Sequence, residues 1–113
     1  MTATQLHQSL KKYFGYDAFR PGQEKAISVL LSGKSAAAIF PTGSGKSLIY
    51  QLTAMHLPNL TLVVSPLLAL MEDQMNAMIN NGIPAEKIDS TLTLSESIAV
   101  RERVRNGTTK VLL

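Results

Sequence analysis

Between an apolar run and a stretch of helical periodicity the chain places "FPTGSGKSLIYQ", residues 40–51. Gly43, Gly45, Lys46 and Ser47 are the residue types that a polyphosphate requires, at the spacing it requires. Glycine permits φ > 0 and lets the backbone come close to anionic oxygens. Successive N–H groups in such a loop point into one concavity, a nest for anions. A helix starting directly afterwards adds its unpaired first-turn N–H groups and the positive end of its dipole. Lys46 offers a point charge to the outer phosphates, and Ser47 a hydroxyl to Mg²⁺. The strict pattern is G-x-x-x-x-G-K-[ST], and Phe40 stands where its first glycine belongs, so the match is partial. The competing reading is a glycine-rich strand-to-helix turn carrying an incidental lysine. Placement favours the phosphate reading, because the motif needs a strand before it and a helix after it.

The elements that must hold this loop follow from periodicity. Residues 6–14 carry Leu6, Leu10 and Phe14, a period-four stripe that predicts a helix, stopped by Gly15. After "RPG", residues 23–32 place Ala26, Ile27, Leu30 and Leu31 on one helical face, with Gly33 as the stop. "SAAAIF", 35–40, reads as a short buried strand. A helix is expected from the glycine loop to about His56, its buried face being Leu48, Ile49, Leu52 and Met55. "LTLVVS", 60–65, reads as a second buried strand, and Leu67, Met71, Met75 and Met78 mark the next helix. A short strand is expected near 86–90. Thr93 and Glu96 have capping-box spacing ahead of "SIAVRERVR", and "TKVLL" reads as a further strand. Strands alternating with helices imply an α/β fold, a parallel sheet covered on both faces through right-handed crossovers.

The 113 residues, 45% hydrophobic and 17% charged, describe at most one globular domain. Without cysteine there is no disulfide framework and no thiolate metal site. His7 and His56 are far apart in the chain and suggest no metal pair. No apolar run reaches 18 residues, and the polar start "MTATQLHQSLKK" lacks a signal-peptide core, so no membrane span and a cytoplasmic protein are the expectation. Residues 1–60 carry six Lys/Arg against two Asp/Glu, and residues 61–113 five against six. The basic first half suits an anionic ligand but does not by itself establish nucleic-acid binding.

The form "PTGSGKS" is found in superfamily 2 helicases, and three stretches together resemble the N-terminal end of RecQ-family DNA helicases. "LKKYFGYDAFRPGQEKAI" (10–27) is similar to the family's upstream base-holding motif, "FPTGSGKSLIYQL" (40–52) to its phosphate loop, and "LTLVVSPLLALMEDQ" (60–74) to its next motif, which faces DNA. "DSTLTLSES" and "GTTKVLL" fit the following segment more loosely. The resemblance implies a P-loop, RecA-like α/β lobe, with residues 1–113 forming the N-terminal part of the first helicase ATP-binding domain. It implies ATP and Mg²⁺ as cofactors, and single-stranded and partly duplex DNA as partners. It further implies 3′→5′ movement and work in DNA repair and recombination, at the nucleoid if the source is bacterial.

Residue by residue, Tyr16 resembles the tyrosine that stacks on adenine, Gln23 the glutamine that reads its edge, and Arg20 the arginine of the same motif. An amide suits the second task, since it donates and accepts side by side. Thr42, Gly43, Ser44 and Gly45 take the phosphate-cradling positions, Lys46 the catalytic lysine's and Ser47 the Mg²⁺ ligand's. Ser65 and Pro66 open the DNA-facing motif, where a hydroxyl can position a backbone phosphate. Read without the resemblance, Tyr16 is an ordinary aromatic, Arg20 a solvated charge, Gln23 a first-turn residue after Pro21, and Ser65 a helix cap. Three positions depart from the family: Ser44 stands for the usual glycine, Glu72 for a frequent lysine, which removes a positive charge from the DNA side, and Thr53 for a common proline.

The 113 residues contain no "DEAH", the carboxylate motif that holds Mg²⁺ and orients the attacking water. They stop at Leu113 in what reads as mid-strand, so a longer parent is expected, with the segment alone inactive and prone to aggregate through unpaired strand edges. A DEAD-box-like RNA helicase lobe and a nucleotide-binding module without activity stand as alternatives, with a P-loop kinase the weakest because it leaves "FRPGQ" unexplained.

Overall fold

Thr2 opens the first helix as the reciprocal cap that a Thr–Gln pair three residues apart permits: its Oγ1 accepts the Gln5 amide at 3.2 Å, and Gln5 Oε1 accepts the Thr2 amide at 2.9 Å. The computed structural model describes residues 2–39, 45–64 and 68–113, which fall into two units, Met1–His56 and Leu57–Leu113.

In the first unit, helix α1 (Ala3–Ser9) runs on into a π-helical stretch, Leu10–Phe14, closed by Gly15 at φ 74°. Helices α2 (Gln23–Leu31) and α3 (Lys46–His56) follow and pack on each other. The stripes read from the sequence are the faces that meet. Leu6, Leu10, Ile27, Leu48, Ile49 and Leu52 form the buried cluster, and Phe14, Ala26, Leu30 and Leu31 pack against it. Each of the six buried Leu and Ile side chains stabilises by about 1.5–3 kcal/mol on leaving water. Helix α3 is buried more widely than its stripe, since Gln51, Thr53 and Ala54 are also enclosed, while Met55 is only half-buried. Thr53, at the family's proline position, satisfies its hydroxyl by donating to the Ile49 carbonyl at 2.6 Å. At the far end of α3, His56 Nε2 meets Ser9 Oγ at 2.8 Å, tying α1 to α3.

The strand expected at 35–40 is not formed over its described part. Residues 35–39 belong to no strand and all are exposed, Ile39 at 93%. Three consecutive alanines have little strand preference and little apolar area to bury, so the conformation depends on a ladder, and among the described residues they enter none.

The second unit holds a three-stranded parallel sheet in the order β1 (Thr61–Leu62), β3 (Val111–Leu112), β2 (Ala85–Glu86). Thr61 pairs with Val111 and Ala85 also with Val111, so the last strand lies between the other two. The ladder extends through Val63 N to Leu112 O at 2.9 Å and Ile88 N to Leu113 O at 3.0 Å. Helix α4 (Leu68–Asn80) connects β1 to β2, and α5 (Leu94–Arg105) connects β2 to β3. The two crossovers run in opposite directions across the sheet, from one edge to the other and then back to the centre.

Met71 and Met78 of α4 are buried as their spacing predicts, with Ile83, Ala85, Val100, Val111 and Leu113. The capping box at Thr93 and Glu96 is present, with Oγ1 accepting the Glu96 amide at 3.2 Å and Oε1 accepting the Thr93 amide at 3.0 Å. Strand β1 departs from the fully buried strand expected of it, because Leu62 and Val64 are 68% and 97% exposed. Successive side chains of an extended segment point to opposite sides, and Leu62 and Val64 share the uncovered one while residues 61 and 63 are half-buried. Arg103 and Thr109 both bond the carboxylate of Glu86, which fastens α5 to the sheet. Among the described residues no helix is long and apolar enough to cross a membrane.

Candidate functional site

"RPGQ" is a turn before it is a motif. Proline presets φ at the second position and glycine supplies φ > 0 at the third, the requirement of a type II turn. Gly22 sits at φ 88°, ψ −17°, and the Gln23 amide returns to the Arg20 carbonyl at 3.2 Å. The side chain of Gln23 closes the same turn from the other side, its Oε1 accepting the Arg20 amide at 2.8 Å.

Gln23 is the first residue of α2 and is buried to 3% exposure. Its Nε2 donates to the Gly45 carbonyl at 3.0 Å, so the turn is bonded to the residue that precedes α3. An amide carries two N–H donors and two acceptor lone pairs, and these two bonds use one of each. Gly45 has φ 84°, and an ideal Cβ on it would lie 2.5 Å from Gln23 Nε2 and 3.7 Å from Arg20 Cδ. Backbone conformation and space both demand glycine there.

Lys46 and Ser47 begin α3, Lys46 exposed and Ser47 half-buried. The first-turn amides of α3 are the groups that lack intrahelical acceptors, which makes this end of the helix the natural seat for an anion. Thr42, Gly43 and Ser44 lie outside the described residues, as do Phe40, Ser65, Pro66 and Leu67. The structure therefore brings together Arg20, Gln23 and Gly45 next to Lys46 and Ser47. Tyr16 stands 56% exposed beyond Gly15, and no hydrogen bond or ring contact among the described residues ties it to them. Glu72 is paired with Lys87 at 3.4 Å, and Lys87 also meets Asp89 at 3.2 Å.

One contact next to this turn has no signal in the sequence. His7 of α1 lies edge-on to Phe19, with ring centroids 5.0 Å apart at 72°, and its Nε2 is 3.3 Å from Glu24 Oε2. A single histidine has no spacing to betray it, and its partners come from the other side of the turn.

Among the described residues the site is thus Gly45 at the head of α3, docked by the upstream Gln23. The DEAD/DEAH box helicase model matches residues 20–113, and the chain belongs to that family. Within it, the chain is 45% identical over 103 residues to the ATP-dependent DNA helicase RecQ of Pasteurella multocida, covering 91% of this chain and 16% of that protein. It is 44% identical to the RecQ of Haemophilus influenzae, covering 91% and 17%, and 42% identical to the ATP-dependent DNA helicase Q4 of Homo sapiens, covering 99% and 9%. The chain thus spans less than a fifth of the length of these relatives. A solved structure described as a hypothetical ATP-dependent RNA helicase from Sulfolobus tokodaii shares the fold, with a TM-score of 0.72 at 23% identity, over 98% of this chain and 33% of that one.

Proposed function

We propose that the intact protein is an ATP-driven DNA helicase of the RecQ type, and that residues 16–47 of this chain hold its nucleotide. The observation that carries this reading is the Gln23–Gly45 bond, which joins the base-reading segment to the phosphate loop across the unit. The residues fit the ligand. Gly45 lets the Gln23 amide dock against the head of α3, where a Cβ would lie 2.5 Å from Nε2. Lys46 stands exposed at the head of α3, where a phosphate charge is best met, and Ser47 beside it offers the Mg²⁺ ligand. By count Gln23 has one further donor and one further acceptor for a base edge, enclosed here at 3% exposure, and Tyr16 offers an exposed ring to stack on it.

Bound ATP supplies the phosphoryl-transfer free energy. The carboxylates and the second-lobe arginine that hydrolysis needs come from elsewhere in the intact protein. Closure and opening of the two lobes around the nucleotide, each state gripping DNA differently, drive movement 3′→5′ along one strand. Single-stranded and partly duplex DNA is the substrate, touched near Ser65, with Glu72 weakening the contact next to it. The setting is DNA repair and recombination in the cytoplasm, at the nucleoid if the source is bacterial.

The test is nucleotide and substrate selectivity of the intact protein. Lys46→Ala abolishes ATP hydrolysis and unwinding of a 3′-tailed DNA duplex, and Gln23→Ala lowers the preference for ATP over GTP. Normal unwinding by Lys46→Ala overturns the motor reading, and preferential unwinding of RNA duplexes replaces DNA with RNA.

A further inference from the structure

We propose that His7 is a positioning residue for the base-binding turn, an inference that rests on the nucleotide reading above. Phe19 and Glu24 bracket the Arg20–Gln23 turn, and one imidazole touches both: its edge meets the Phe19 ring and its Nε2 meets Glu24 Oε2. A carboxylate only accepts, so Nε2 carries the hydrogen. The turn is thereby held from two sides, by Gly45 through Gln23 and by α1 through His7.

Helix α1 is a firm base for this contact. Leu6 and Leu10, on either side of His7 in the chain, are fully buried, and Ser9 is bonded to His56 at the end of α3. The His7 and Glu24 side chains are 42% and 39% exposed, so their bond adds little to global stability. Its effect is on geometry. A base-reading amide discriminates only when held within a fraction of an ångström of its partner, and releasing one side of the turn loosens Gln23. The phosphate contacts of Lys46 and Ser47 are on α3 and are not moved. The loss therefore falls on nucleotide binding and base preference, and leaves the chemical step alone.

The intact protein with His7→Ala is expected to show a KM for ATP raised about threefold to tenfold, kcat kept within about twofold, and a reduced preference for ATP over GTP. His7→Gln, whose amide N–H reaches Glu24 much as Nε2–H does, recovers most of the loss. His7→Asn, too short to do so, does not, and it serves as the second variant should the alanine form fail to fold. Glu24→Ala reproduces the His7→Ala shift, and the double variant adds little to either. An unchanged KM and base preference in His7→Ala overturns the inference, as does a matching fall in kcat or a His7→Gln no better than alanine. Gln23→Ala separates the two levels: if it leaves base preference intact, the base-reading assignment itself fails. If it removes the preference while His7→Ala keeps it, only the role of His7 fails.

Discussion

Nε2 of Gln23 occupies space that the Cβ of any other residue at position 45 would need, 2.5 Å from where that atom would be built. Gly45→Ala therefore meets two obstacles at once, the positive φ and the amide. The expected loss of stability is about 1–3 kcal/mol, read from urea denaturation midpoints. Combining it with Gln23→Ala removes the clash but not the strained backbone, so the double variant recovers part of that loss. Full additivity of the two changes would show that the amide does not press on residue 45.

Acid weakens the second unit through two carboxylates held below their ordinary range. Asp89 is lowered first by the Thr91 hydroxyl and then by the Thr91 amide, which donates at 2.7 Å. Glu96 is lowered first by the Thr93 amide and then by its side chain. A depressed folded-state value means that the stabilisation is complete above the ordinary carboxylate range, near about pH 4, and disappears as pH falls through the lowered values. A melting-temperature series from neutral pH down to pH 3 should fall steeply at the acid end. Asp89→Asn with Glu96→Gln, which keep the turn and the cap, should flatten it.

The exposed edge of β1 governs solubility. Leu62 of β1 and Val64 just beyond it present apolar side chains where, among the described residues, the strand is paired on one side only. Val64→Lys places a charge on that edge without touching the core, the device by which edge strands avoid pairing with other copies. Light scattering of this chain on slow heating should show a later onset of aggregation in the variant. Substitution at a 97% exposed position should leave the melting temperature nearly unchanged.

What could be read from the chain follows a physical boundary. Leu6, Leu10 and Phe14, or Met71 and Met78, were legible because helical spacing and burial on one face are the same fact. Thr93 and Glu96 were legible because a cap is local. The turn at Pro21 and Gly22 has its cue in its residue types but was not read from them, and the destination of the Gln23 amide, a carbonyl 22 positions onward, has no local cue at all. His7 and Glu24, 17 positions apart, carry no joint signature. The run at 35–39 shows the converse error: apolar character was taken for burial, while its alanines bring too little area to secure it. The π-helical widening at Leu10–Phe14 likewise has no local cue in an unbroken period-four stripe.

Strand β3, the last in sequence, is flanked by both of the others, and β1 and β2 do not touch each other through backbone bonds. Among the described residues the segments around Thr61 and Ala85 find their ladder partner only when residues 111 and 112 have emerged from the ribosome. Closure of this sheet is then a single late event across some fifty residues of intervening chain, slow by the loop entropy it must overcome. In that interval the nascent chain is most in need of a chaperone.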